Sequence, residues 1–270
     1  MDRALDSFTG TVRRAVDDYG MIQEGDCVAV GVSGGKDSMI LLLALDRLRH
    51  YYPKHFELEA VTVELGFEGM DFTPVRELCA ELSIPYTCRK TDIKEIVFDL
   101  RREDNPCSLC AKMRRGALSN LLRERWLNKL ALGHHFDDAV ETCLMSLLFE
   151  GRIGCFQPVT YLDRSGVTQI RPLIYAGEQK IANLAKELNV PIIENPCPQD
   201  RSSKRYEIKH LLKNMCAEYP DMKSKIFGAM QRLPLPGWEK SAGRTAQGET
   251  RSDLRREGSP SGGPAPTGTF

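Results

Sequence analysis

Residues 28–43 of this chain read Val28-Ala29-Val30-Gly31-Val32-Ser33-Gly34-Gly35-Lys36-Asp37-Ser38-Met39-Ile40-Leu41-Leu42-Leu43. A valine-rich apolar run breaks into Ser-Gly-Gly-Lys-Asp-Ser and continues as an unbranched aliphatic run. This pattern predicts a buried strand, a tight turn and a helix. A helix that starts there directs its unpaired backbone N–H groups and the positive end of its dipole at the turn. The stretch therefore predicts an anion site, with phosphate as the expected anion.

The side chains of the turn supply the chemistry that a nucleotide phosphate needs. Glycines allow a close backbone approach, serines offer hydroxyl groups, and Lys36 offers a positive charge. Asp37 would repel a phosphate unless a divalent cation lay between them, so its presence predicts Mg²⁺ with Asp37 as a ligand. Lys36 and Asp37 are also predicted to be catalytic. We expect ATP to bind the turn through Ser33, Gly34, Gly35, Lys36, Asp37 and Ser38.

The turn does not fit the Walker phosphate loop. That motif requires glycine where Val30 stands and serine or threonine where Asp37 stands. The residues instead match Ser-Gly-Gly-x-Asp-Ser, and in this the chain resembles the PP-loop ATP pyrophosphatases, which cleave ATP between the α and β phosphates. A glycine-rich turn without a ligand is the alternative.

Composition predicts a soluble, cytoplasmic protein. The 270 residues are 41% hydrophobic and 27% charged, which is ordinary for a globular protein. No apolar run approaches the ~20 residues that span a bilayer, and the amino terminus lacks the apolar segment of a signal peptide. Lysine plus arginine equals aspartate plus glutamate, at 37 each, so net charge gives no argument for a nucleic-acid partner.

Alternating strand and helix patterns predict an α/β fold with a doubly wound parallel sheet and flanking helices. We expect an amphipathic helix in an N-terminal segment 1–20, and a PP-loop domain at 21–233. The last 37 residues contain seven glycines, five prolines and few large apolar residues, which predicts a disordered tail at 234–270. Strands are predicted at 27–32, 58–64, 85–89, 129–132 and 168–172, and a strand-like segment at 191–193.

Nine cysteines are too many to ignore in a cytoplasmic chain. Cys107 and Cys110 form a C-x-x-C pair that suits a redox dithiol, half a zinc site, part of an iron–sulfur cluster or two buried thiols. We expect Cys107 in a loop before a basic helix at 111–126, with nearby arginines favouring thiolates. Cys197, between two prolines, is a third candidate ligand. No fourth ligand completes a zinc site, and three thiolates suit a [4Fe–4S] cluster with one open iron.

A second polar motif, Leu132-Gly133-His134-His135-Phe136-Asp137-Asp138, follows a predicted strand and opens a helix. Its side chains should therefore line the same sheet edge as the phosphate turn. We expect His134 to contact the nucleotide and Asp138 to be catalytic, through Mg²⁺ or proton transfer. Helix capping by the aspartates is the alternative.

Together the motifs resemble the tRNA 2-thiocytidine synthetase (TtcA) family. The resemblance rests on 33–38, Cys-Ser-Leu-Cys-Ala-Lys-Met-Arg-Arg-Gly at 107–116, 132–138, Arg-Pro-Leu-Ile-Tyr at 171–175 and the proline-flanked Cys197, and it covers 21–232. It implies ATP-dependent thiolation of cytidine 32 in tRNA, with a [4Fe–4S] cluster bound by Cys107, Cys110 and Cys197. Family members carry a further cysteine shortly after the third ligand, and this chain has none there.

Local charge fits an RNA partner. Between 101 and 125 there are seven basic residues against three acidic, and between 201 and 213 five against one; solvated helix faces are the alternative. The expected partners are tRNA, ATP and a sulfur donor such as a cysteine desulfurase, with no membrane and with a homodimer as one assembly to test. A tRNA lysidine synthetase-like ligase and a non-catalytic nucleotide-binding module are the competing functions. The predicted RNA contacts are Arg114, Arg115, Lys204, Arg205 and Lys209.

Overall fold

The computed structural model of the protein describes residues 2–101, 106–194, 196–197 and 204–232. Its helices are α1 (Asp2–Asp18), α2 (Lys36–Arg49), α3 (Thr73–Glu81), α4 (Pro106–Glu124), α5 (Phe136–Phe149), α6 (Glu178–Glu187), α7 (Lys204–Glu218) and α8 (Met222–Arg232), with a π-helical segment at Glu95–Arg101. Its strands are β1 (Asp26–Gly31), β2 (Phe56–Glu64), β3 (Tyr86–Lys90), β4 (Lys129–Ala131), β5 (Val159–Leu162) and β6 (Val167–Ile170). The predicted tail at 234–270 lies outside the described residues.

Within these ranges the strands form one sheet in the order β3-β2-β1-β4-β6-β5. Every pairing is parallel except that of β5 with β6. The chain winds outward from β1 to β3, then returns to place β4 on the other side of β1. The carboxyl ends of β1 and β4 therefore meet where the strand order reverses, which is the position where open α/β sheets bind ligands.

The predicted α/β fold is confirmed, but two local predictions are wrong and one strand was missed. Residues 191–193 form no strand. The antiparallel β5 was not predicted, because its short, half-buried sequence carries a weak alternation signal. Helix α4 begins at Pro106 rather than after Cys110. Proline suits the first helical position, where its missing N–H group costs nothing, so Cys107 lies in the helix and not in a loop.

The core fills the space between the sheet and its helices. Valines of β1 and the aliphatic face of α2 are fully buried, which fixes the strand–turn–helix unit rigidly. Helix α1 packs against α2, and α5 packs against both α7 and α8. Over the described ranges, no helix is both long enough and apolar enough to cross a membrane.

Candidate functional site

The phosphate turn is held in shape by its own serine hydroxyls. The Ser38 hydroxyl accepts the Ser33 backbone N–H at 3.1 Å and donates to the Gly35 carbonyl at 2.9 Å. The Ser33 hydroxyl accepts the Gly35 N–H at 3.4 Å. Both hydroxyls thus stabilise the turn, although we expected them to face a phosphate. Gly35 caps α2 without a side-chain hydrogen bond, which leaves the N–H groups of the first turn of α2 for an anion.

Gly34 is required by both its backbone angle and its surroundings. Its φ of +82° lies in the left-handed region, and a Cβ atom there would stand 2.8 Å from the Ile193 side chain. The Ile193 N–H also donates to the Gly34 carbonyl at 2.9 Å. The segment predicted as a strand near 191–193 therefore closes over the phosphate turn instead of joining the sheet.

The second motif touches the first directly. A Cβ atom on Gly133 would lie 3.2 Å from the carbonyl carbon of Asp37 and from the backbone nitrogen of Ser38. Only glycine allows the turn after β4 to approach the start of α2 this closely. The prediction that the two motifs share one sheet edge is confirmed.

Histidine and aspartate of the second motif cap α5. The Asp138 carboxylate accepts the His135 N–H at 2.9 Å, and the His135 Nδ1 atom accepts the Asp138 N–H at 3.4 Å. Asp138 also accepts a hydrogen bond from Arg205 at 3.0 Å. The capping alternative therefore describes what Asp138 does here, and its catalytic role stays a prediction.

His135, rather than His134, lies beside the phosphate turn. Its Nε2 atom is 3.8 Å from the Asp37 Oδ1 atom. His134 instead stacks against Phe156, with ring centres 5.1 Å apart. Burial, and next the charge of Arg171, lower the pKa of His134 to about 4, so its ring is neutral at physiological pH. A nucleotide contact by His134 stays a prediction.

Asp37 presents a carboxylate oxygen suited to a cation. Its Oδ2 atom accepts a hydrogen bond from Lys36 at 3.1 Å, whereas Oδ1 is buried with no hydrogen-bond partner among the described residues. Buried carboxylate oxygens are rarely left unpaired, and Mg²⁺ bound through one carboxylate, phosphates and water would satisfy this one. The described residues hold no group of three or more candidate ligands for a single metal ion, so phosphates and water would have to complete such a site.

A carboxylate missed by the sequence reasoning lies opposite Lys36. The Glu178 Oε1 atom accepts hydrogen bonds from Lys36 at 3.4 Å and from Lys209 at 2.7 Å. The backbone N–H of Glu178 donates to Asp137 at 2.7 Å, and Asp137 also accepts from Lys223 at 2.7 Å. Four helices are thereby tied to the phosphate turn through charged groups.

A second buried carboxylate, Glu141, lies deeper along α5. Its side chain is 5% exposed and its Oε2 atom is 3.5 Å from Arg205. Burial, and then the charge of Asp138, raise the pKa of Glu141 from 4.5 to about 7, although Arg205 opposes the shift. Glu141 is therefore partly protonated at neutral pH.

This pKa predicts a dependence of stability on pH. Because the folded protein holds the Glu141 proton more tightly than the unfolded chain, the stabilisation is complete below about pH 4.5 and is lost as the pH rises through about 7. Relative to the wild type, Glu141→Gln should gain about 1–3 kcal/mol in the free energy of unfolding between pH 5 and pH 8. Urea unfolding at both pH values measures this gain. The exposed Glu187→Gln is the control, and an equal difference from the wild type at both pH values would refute the assignment.

The three candidate cluster ligands lie close enough for the charges of Cys107 and Cys197 to affect Cys110. Cys107 and Cys110, three residues apart in the first turn of α4, lie on the same helix face. Burial raises the pKa of Cys110; Arg114 lowers it, and Cys197 and Cys107 raise it further. Arg114 favours the Cys110 thiolate as expected, but burial outweighs it, so the pKa of Cys110 is raised overall.

The chemistry of the donor set suits an iron–sulfur cluster. Cys107, Cys110 and Cys197 offer three thiols, and Cys107 and Cys197 lie close enough to act on the charge of Cys110. Thiolates are the ligands that proteins supply to iron–sulfur clusters. The role of these three residues as cluster ligands stays a prediction.

The predicted RNA contacts fall into two sets. Arg114 and Arg115 are exposed on α4. On α7 the basic groups are engaged within the protein: Lys204 pairs with Glu207, Arg205 with Asp138, and Lys209 with Glu178. The RNA-binding role of both sets stays a prediction.

Comparison with known proteins agrees with this geometry. The PP-loop domain family matches residues 7–215. The chain is 40% identical over 225 residues to the tRNA-cytidine(32) 2-sulfurtransferase of Pelobacter propionicus, covering 82% of this chain and 84% of the relative. It is 38% identical over 222 residues to the protein of that name from Geobacter sulfurreducens, covering 81% and 86%.

A solved structure is also similar, that of the U34-tRNA thiolase NcsA from Methanococcus maripaludis with its [4Fe-4S] cluster. The TM-score is 0.70 at 26% identity, and the match covers 85% of this chain and 78% of the thiolase. From the matched domain and the extent of identity, the chain belongs to the PP-loop family and, within it, to the tRNA-cytidine(32) 2-sulfurtransferase family.

Proposed function

We propose that this protein is an ATP-dependent tRNA sulfurtransferase that replaces the C2 oxygen of a cytidine, at position 32 of the anticodon loop, with sulfur. Its relatives carry that name, and the thiolase that it resembles contains a [4Fe-4S] cluster. In this proposal the domain at 21–233 carries both the ATP site and the sulfur site.

One observation carries the proposal: the segment that bears Cys197 also covers the phosphate turn. Ile193 packs over Gly34 and donates to its carbonyl, and Cys197 follows four residues later. Four residues span at most ~14 Å of extended chain, so the Cys197 backbone lies within that distance of Ile193. In this proposal the groups that activate with ATP and the groups that bind sulfur are parts of one site, which this proximity supports.

The activating half of the reaction follows from the turn. The C2 oxygen of cytidine is a poor leaving group. Its attack on the α-phosphorus of ATP expels pyrophosphate and joins the oxygen to the adenylyl group, so that the leaving group at C2 becomes AMP. Lys36 and the backbone N–H groups at the start of α2 stabilise the charge that develops on the phosphates. Asp37, whose Oδ1 atom is buried without a hydrogen-bond partner among the described residues, would be a ligand of Mg²⁺, which would neutralise charge on the phosphates.

The substituting half needs a sulfur nucleophile that attacks C2 and expels AMP. Cys107, Cys110 and Cys197 would hold the [4Fe–4S] cluster, and when bound it supplies an open iron position for the sulfur to be transferred. Arg114 and Arg115, exposed on the same helix, would bind the RNA backbone while the target base leaves its stack.

Reconstitution tests the proposal. Anaerobically purified protein containing iron should convert a tRNA transcript to 2-thiocytidine with ATP, Mg²⁺ and sulfide, and release AMP and pyrophosphate in equal amounts. Mass analysis of the nucleosides identifies the product, and a transcript with uridine at position 32 is the matched control. Thiolation without ATP, or ATP cleavage without any thiolated nucleoside, would refute the proposed function.

A further inference from the structure

Glu178 lies where the phosphate turn meets α7. Its Oε1 atom is shared by two lysines, Lys36 of the turn and Lys209 of α7, at 3.4 and 2.7 Å. The side chains of Glu178 and Lys36 are 27% and 28% exposed, so their ion pair is only partly screened by water, whereas Lys209 is 52% exposed. Lys36, which should bind phosphates, is thus held by two carboxylates, those of Asp37 at 3.1 Å and Glu178 at 3.4 Å.

The position of Glu178 is fixed by a hydrogen bond from its backbone to Asp137. It is the first residue of α6, and its backbone N–H donates to the Asp137 carboxylate at 2.7 Å. The other oxygen of Asp137 accepts from Lys223 of α8, also at 2.7 Å. Of the two lysines, Lys36 makes the longer contact with Glu178, at 3.4 Å against 2.7 Å for Lys209, so it is the partner that is more easily released.

The charges of this trio are defined at neutral pH. Although burial raises the pKa of Glu178, the charges and hydrogen bonds of Lys209 and Lys36 lower it overall. Burial lowers the pKa of Lys209, but Glu178 raises it overall. Glu178 thus faces two lysines, one of which, Lys36, also contacts Asp37, and the nucleotide phosphates would compete with Glu178 for Lys36.

We propose that Glu178 is a positioning residue that holds Lys36 until the phosphates of ATP take this lysine, after which Glu178 pairs with Lys209 alone. The inference rests on the proposed function, because it takes the turn as the ATP site. Binding of ATP then strengthens the tie between α6 and α7, the helix that carries three of the predicted RNA contacts. Nucleotide binding and the placement of α7 are coupled through one oxygen atom.

The two partners of this network give opposite predictions. In Glu178→Gln, Lys36 keeps its ion pair with Asp37 but loses the one with Glu178, and the phosphates meet one carboxylate fewer, so a nucleotide binds more tightly. In Lys209→Met, Glu178 keeps only Lys36 and its charge is less compensated, so a nucleotide binds more weakly. Each change should be about three- to fivefold, as expected for partly exposed ion pairs.

Calorimetric titration with Mg²⁺ and α,β-methylene-ATP, which is not cleaved between the α and β phosphates, measures both effects. Glu187→Gln, an exposed charge change on the same helix, should bind like the wild type. In steady-state assays Glu178→Gln should lower KM for ATP and also lower kcat, because α7 is less firmly placed. A merely structural role would weaken binding in both variants.

The outcomes separate this inference from the function on which it rests. If the wild type binds the analogue and Glu178→Gln binds it equally or more weakly, the role of Glu178 is refuted while the ATP site stands. If Lys209→Met binds more tightly, the sharing of Glu178 between the two lysines is refuted. If the wild-type protein binds no analogue, the proposed function fails and this inference fails with it.

Discussion

Replacing Cys110 with serine should abolish sulfur transfer to tRNA while leaving ATP binding intact. Cys110 and Cys197 are half-buried whereas Cys107 is exposed, and the charges of Cys107 and Cys197 act on Cys110. Serine keeps the size and the helix but removes the thiolate that iron prefers. We expect the thiolation rate to fall more than about 100-fold, since even residues that only support metal ligands cost about 10- to 100-fold. Nucleoside mass analysis and iron content measure the two losses.

Cys27→Ser is the matched control for this substitution. Cys27 lies near the amino end of β1, whereas the phosphate turn follows the carboxyl end of that strand. Cys27 is also partly buried. It should keep its iron and its activity. In Cys110→Ser, titration with α,β-methylene-ATP should give the wild-type affinity, because the phosphate turn contains no cysteine. If Cys110→Ser retains iron and thiolates tRNA at the wild-type rate, the three-thiol site is wrong.

The sequence was sufficient for the parts of the site that are local. The order strand, turn and helix at 28–43 follows from periodicity and from two glycines. The alternation of strands and helices favours a doubly wound sheet, in which the strand order reverses. The second motif was placed correctly for the same reason, because it also comes after a strand. The sequence could not show which of the two histidines of this motif faces the phosphate turn. Adjacent residues point in different directions, and only the capping of α5 by His135 decides between them.

The parts that depend on tertiary packing were not predictable. Glu178 and Lys223 come from helices that follow the last parallel strand, and no pattern along the chain says that both approach Asp137 and Lys36. Ile193 looked like a strand residue because it lies in an apolar run, yet its N–H is paired with Gly34. Such contacts are set by how α6 to α8 pack on the sheet, which local propensity does not encode.

Replacing Gly34 with alanine should cost most of the affinity for ATP. Alanine at a φ of +82° costs about 1–2 kcal/mol, and its Cβ atom would stand 2.8 Å from Ile193. Crowding of this kind costs a further ~1–3 kcal/mol. The turn relieves both by moving, which turns its N–H groups away from the phosphates. We expect at least about 30-fold weaker binding of α,β-methylene-ATP, equivalent to ~2 kcal/mol.

Two variants separate the backbone strain from the collision. Gly69 has nearly the same φ, +81°, but a Cβ atom there would meet nothing within 4 Å. Gly69→Ala therefore introduces the backbone strain outside the phosphate turn, and this variant should bind nucleotide normally. Gly34→Ala combined with Ile193→Ala removes the collision and should recover part of the affinity, although Ile193→Ala alone weakens the cover of the turn. Because the two residues are in contact, their effects should not add. Additive effects, or normal binding by Gly34→Ala, would show that the close packing of Ile193 on the turn does not shape the phosphate site.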